Sequence, residues 1–135
     1  MAADCAVELK SSGVTMVSLW PGAVKTELVQ EGILGGKDDT KHAAAWYRAE
    51  SFEFSGRAIR HLAADRRMAE KTGRILLTQD LALEYGFADV DGEMPLSVRN
   101  VGFTFAFLGY PWLASWIPDF VKIPLSLIHM RSNKF

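Results

Sequence analysis

Cysteine is almost missing: the 135-residue chain contains one, Cys5. A single thiol closes no internal disulfide, and with no CxxC pair there is no cysteine framework for structural zinc, so nothing points to an oxidising compartment. An excess of one charge is missing as well. Fifteen Lys and Arg against 16 Asp and Glu leave a formal net charge of −1, which gives none of the concentrated basic surface that nucleic acid binding requires. There is no long apolar run at the start either. Residues Met1 to Lys10 carry Asp4 and Glu8 and do not read as a secretory signal. What is present is core material: 49% hydrophobic against 23% charged residues supports one packed domain and sets the chain apart from disordered sequences.

The stretch Val14-Thr15-Met16-Val17-Ser18-Leu19-Trp20 is a short, mostly β-forming run that ends at Pro21-Gly22. Such a run reads as a strand covered on both faces. Proline fixes φ and donates nothing to a ladder, and glycine lets backbone approach closely, so the strand stops there with its carboxyl end open. In open α/β sheets ligands bind at that end. Ahead of it, Ala2, Cys5, Ala6 and Leu9 recur at helical spacing through residue 12, and Gly13 stands where a left-handed cap is expected. Cys5, on the apolar face, reads as a small packing residue. Helix, glycine and strand make one half of a βαβ crossover.

From Glu27 to Glu50 periodicity weakens around Gly32, Gly35, Gly36, Asp38 and Asp39. The segment is either a covering loop over the strand end or a surface excursion. His42 reads as a solvated side chain. A clearer helix follows, capped by Ser51, with Glu53 in its first turn and Phe54, Ala58, Leu62, Ile59 and Ala63 as its core face. Arg57, Arg60, Arg66 and Arg67 read as its solvated flank. Thr72-Gly73 then turns the chain into a second buried strand from Arg74 to Thr78, followed by residues 79–86 and an Asp91-Gly92 turn. This order predicts the tail of a parallel α/β sheet.

The strand with Pro21-Gly22-Ala23-Val24-Lys25-Thr26, the helix with Gly56-Arg57-Ala58 and Leu62-Ala63-Ala64-Asp65, and Thr72-Gly73-Arg74-Ile75-Leu76 together resemble the C-terminal half of a short-chain dehydrogenase/reductase. Asp80-Leu81-Ala82, Tyr85-Gly86 and Asp89-Val90-Asp91-Gly92 extend the resemblance along the chain. It implies the C-terminal portion of a Rossmann-type, doubly wound parallel sheet over residues 1–98, with an apolar extension over 99–135. It further implies an oxidoreductase that uses NADP or NAD and interconverts small carbonyls and alcohols, with steroid-like or xenobiotic-like substrates. Pro21 and Gly22 would lie beside the nicotinamide, the main chain at Val24 would reach its carboxamide, and the Thr26 hydroxyl would bond the carboxamide or the pyrophosphate. Thr26 also suits a cap for the helix that begins at Glu27, and the two roles are compatible. The helix from Met1 to Leu9 would serve homodimers.

Two departures limit that expectation. No Gly-rich turn opens a βαβ unit to cradle a pyrophosphate. Tyr47, Tyr85 and Tyr110 each lack a lysine four positions on, so the family's Tyr-x-x-x-Lys proton-transfer pair is absent. The chain therefore reads as a fragment, expected neither to bind cofactor nor to turn over alone. The alternative is a truncated non-catalytic product that serves as a binding or dimerisation module.

The stretch from Val101 to Pro118 has no charged residue and holds Phe103, Phe105, Phe107, Tyr110, Trp112 and Trp116, broken by Gly109 and Pro111. A span needs about 20 residues, and these breaks argue against a simple one. The aromatics with Lys122, His129, Arg131 and Lys134 suit an interfacial anchor on a membrane surface; the expected location is the endoplasmic reticulum membrane, with a cytoplasmic protein as the alternative. The tail would otherwise pack over a substrate cleft or a second subunit.

Overall fold

The computed structural model describes residues 1–29, 31, 48–108, 110–118, 121–124 and 126. Most of the expected covering segment, including His42 and Tyr47, and the basic residues His129, Arg131 and Lys134 lie outside these. The described chain divides into two compact units, Met1–Val24 with Glu50–Pro95, and Lys25–Ala49 with Leu96–Phe135.

In the first unit the N-terminal helix α1 spans Ala2–Leu9, and a 3₁₀ turn over Lys10–Ser12 carries it to Gly13. Gly13 adopts φ +68° and returns its N–H to Lys10 O, the left-handed stop expected of glycine at this place. Strand β1 is Ser18–Trp20 and β2 is Ile75–Leu77. They pair in parallel, Ser18 opposite Ile75 and Trp20 opposite Leu77. This α/β arrangement is the partial Rossmann-like fold anticipated, with both carboxyl ends on one edge.

The ladder is shorter than the apolar run that encodes it. Only three residues of 14–20 pair as strand. The run is clamped ahead of the ladder by side-chain and turn chemistry instead. Thr72 Oγ1 accepts from Met16 N–H at 3.1 Å, and Gly73 N–H donates to Met16 O at 2.7 Å. Gly73 is needed twice over, since its φ is +75° and a β-carbon there would press on Ala6 of α1.

Helix α3 spans Phe52–Ala64 and is capped by Ser51, whose Oγ accepts from Phe54 N–H. Phe54, Ala58 and Leu62 are buried as expected. Ile59 and Ala63 are not: Ile59 is 56% exposed and Ala63 faces out, because the helix buries only a single i, i+4, i+8 row. That row meets Leu81, Ala82 and Phe87, with Val17, Leu19, Leu76 and Met94 packed against the cluster. Residues 78–85 form helix α4 (Thr78–Tyr85), so Thr78 begins a helix where the expected strand would have continued. Cys5 is half-buried.

The second unit holds the short helices α2 (Glu27–Val29), α5 (Val101–Phe107) and α6 (Pro111–Ala114). Asn100 caps α5, its Oδ1 accepting from Phe103 N–H at 3.2 Å. Asn100 and Lys122 pair in an antiparallel bridge, and Ile123 N–H donates to Arg99 O at 2.8 Å, tying the segment after the helices to the segment before them. Among the described residues no helix is long and apolar enough to cross a membrane.

Candidate functional site at the carboxyl end of β1

Beyond Trp20 the chain turns through Pro21 and Gly22, and Val24 forms a parallel bridge with Glu50. The bond is Glu50 N–H to Ala23 O, 2.7 Å. In this bridge pattern the bonds fall on the neighbours of Val24, so Val24's own N–H and C=O point to the side away from Glu50. Pro21 is exposed, and Gly22 and Val24 are half-buried. Thr26 belongs to the second unit, half-buried and directly ahead of α2. The structure thus brings three of the four expected residues, Pro21, Gly22 and Val24, together on one turn.

Beneath that turn lies a polar cluster that sequence reasoning missed. Glu50 is fully buried, as are Thr78 and Gln79 from the first turn of α4. Its carboxylate accepts from Ser55 Oγ at 3.0 Å, Thr78 Oγ1 at 2.8 Å and Gln79 Nε2 at 3.0 Å, and the Gly22 backbone beside it favours its charged form. Burial pushes the Glu50 carboxyl above its ordinary range, and Thr78, the Gly22 backbone and Ser55 pull against that shift. Three donors around an acceptor-only group match the ionised form. Gln79 Oε1 is buried without a partner.

Gly22 earns its place through this cluster. A β-carbon there would run into the amide of Gln79, with the Glu50 carboxylate next nearest. Its φ is not positive, so the need is for space. The close approach that glycine allows is made by the protein's own Gln79, from inside.

A second knot holds the segment after α4. Asp89 is buried and accepts from Ser51 N–H at 2.8 Å and from the Ser51 hydroxyl. Arg57 Nη1 donates to Ala88 O at 2.9 Å. Arg57 is exposed, as a solvated flank expects, and from there also binds backbone. The turn at Asp91-Gly92 is present, with Glu93 N–H on Asp91 Oδ1 at 2.9 Å.

Tyr85 is the one family-type proton carrier that the described first unit could offer. Its hydroxyl donates to Asp65 Oδ2 at 2.7 Å. Burial first, then the Asp65 carboxylate, push the phenol far above its usual range. A group tuned that way holds its proton, the opposite of what a proton shuttle near neutrality needs.

A parallel α/β unit with a Pro-Gly turn beyond its strand end defines the class: a Rossmann-like fold, here in part. Over its whole length the chain is 36% identical, across 143 aligned positions, to human dehydrogenase/reductase SDR family member 1 and equally to the mouse protein of that name. The chain is thus related throughout to the short-chain dehydrogenase/reductase family, and it spans 45% of the length of these relatives. No protein-family model matches it.

Proposed function

We propose that the chain supplies one wall of the nicotinamide site of an oxidoreductase that interconverts alcohols and carbonyls, with Pro21, Gly22 and Val24 as that wall. The observation carrying this reading is the direction of Val24's peptide groups. They leave the turn on the side away from the buried Glu50, where a planar carboxamide offers one acceptor and two donors to meet them. The residues fit that group: a strand-end turn with half-buried main chain, anchored from below. NAD or NADP, when bound, supplies the hydride chemistry. The part of Thr26 rests on the family resemblance, and nothing here chooses between the two cofactors.

The chain's own residues orient the ring and do not move the substrate proton. Tyr47, Tyr85 and Tyr110 have no lysine four positions on, and Tyr85 is committed to Asp65. Catalysis in this reading needs the proton carrier and phosphate cradle from sequence other than this chain, with a small carbonyl or alcohol as substrate.

The test is a titration of the ¹⁵N-labelled chain with reduced nicotinamide mononucleotide, which needs no pyrophosphate cradle. Shifts concentrated at Gly22, Ala23 and Val24 are expected at millimolar ligand. Shifts confined to other residues, or none, would remove the reading.

The 101–118 stretch is proposed to rest on a membrane surface. What supports this is the exposure of Trp112 (64%), Trp116 (85%) and Tyr110 (51%), since amphipathic aromatic rings favour the headgroup region.

A further inference from the structure

Glu50 has no part in the nicotinamide wall as stated above, yet it is the most heavily bonded carboxylate on the turn's underside. We propose that Glu50 is a positioning residue: with its carboxylate set against Gly22 and its own N–H donating to Ala23 O, it fixes the 21–24 turn in one shape. It thereby sets the direction of Val24's peptide groups, and in that respect the proposal rests on the nicotinamide reading.

The geometry separates this role from ordinary core support. A carboxylate that merely joined the two helices would need only Ser55 on α3 and Thr78 and Gln79 on α4. Glu50 in addition meets two peptide units of the turn, 21–22 beside its side chain and 23–24 through its backbone. The turn needs such a grip. Pro21 brings no N–H, and Gly22 has the widest conformational freedom of any residue.

The position of Gln79 strengthens the case. Its amide fills the space a Gly22 β-carbon would take, presenting Nε2 to Glu50 and leaving Oε1 unpartnered. Gln79 therefore closes the turn from below sterically, while its bond to Glu50 holds the carboxylate against Gly22. A buried polar cluster this well satisfied on the glutamate side is stiff, because moving the carboxylate strands three donors at once.

Hydrogen exchange of single amides tests the proposal without any ligand. In the wild-type chain the Gly22 amide is expected to be protected. Glu50→Ala should speed its exchange on the order of 100-fold, the loss of a buried charge set against that amide. Ser18, whose N–H donates to Arg74 O, should stay unchanged. Glu50→Gln keeps an acceptor oxygen and should restore most of the Gly22 protection, which also covers the case in which Glu50→Ala does not fold. Thr78→Val removes a donor to the same carboxylate and none from the turn, so Gly22 should change by less than about tenfold. Three results overturn the proposal: a Gly22 amide exchanging at the free-peptide rate in wild type, Glu50→Gln failing to rescue, or Thr78→Val accelerating Gly22 as much as Glu50→Ala. The mononucleotide titration reports separately on the nicotinamide reading, so the failure of either is told from the failure of the other.

Discussion

At the scale of single residues, Gly22 and Glu50 make opposite demands on the same small volume. Gly22→Ala places a methyl group against a Gln79 amide that is itself fully buried. Overpacking of this kind costs about 1–3 kcal/mol, and a lower urea midpoint with an unchanged slope is the expected outcome. The ionisable groups give a second expectation, with two signs. Glu50 is raised above its unfolded value of 4.5, so the folded state holds that proton more tightly. Its contribution is full below pH 4.5 and declines as pH rises through the folded value. Asp65 is lowered below 3.8, first by the Tyr85 hydroxyl bond. Its contribution is full above pH 3.8 and is lost as pH falls through the folded value. Denaturation midpoints across pH should show Glu50→Gln flattening the limb just above pH 4.5 and Asp65→Asn flattening the acid limb. Exchange of those two effects would refute the assignment.

Elements show how far the amino-acid order carried. Helix α3 was legible because Ser51 is a good cap and Phe54, Ala58 and Leu62 repeat at four; Ser51→Ala is expected to cost about 1–2 kcal/mol, read as a lower unfolding midpoint and faster exchange at Phe54. That variant also strips Asp89 of its hydroxyl partner, which places the loss toward the upper end. The helix's width was not legible. Ile59 and Ala63 lie beside the apolar row in projection, and only tertiary packing decides that one ridge is used. The strand at 14–20 was legible as an apolar run ending in Pro-Gly, whereas the ladder's confinement to Ser18–Trp20 depends on Thr72 and Gly73, more than fifty positions away. The Pro21-Gly22 turn could be found locally. Its supports could not, because Glu50 next to a capping serine looks like an ordinary solvated helix start, and Thr78-Gln79 looks like a polar strand end. Burial of charge has no periodicity to announce it.

For the whole molecule the telling feature is uncovered apolar surface. In the first unit Val7, Val14, Trp20, Phe52, Ile59 and Leu83 are exposed, and in the second Leu108, Trp112 and Trp116. Isolated exposed residues are normal; aromatics so open on a stretch without charge are what the proposed membrane contact would use. Two outcomes are distinguishable by co-flotation with anionic phospholipid vesicles and sedimentation without them. The membrane reading expects the chain to float, with Trp112→Ser and Trp116→Ser together abolishing flotation. A chain that stays with the protein fraction while sedimenting as a stable oligomer would instead assign the aromatics to subunit contact.

The clamp between Met16 and Thr72 has one more consequence, for the order of events in the cell. Its two ends are 56 residues apart. At synthesis rates of about 5–20 residues per second, the apolar segment around Met16 leaves the ribosome roughly 3–11 s before the threonine that will hold it. Within this chain the pairing is parallel and long-range, so the proposed ligand turn takes its final shape only after the later strand has been made.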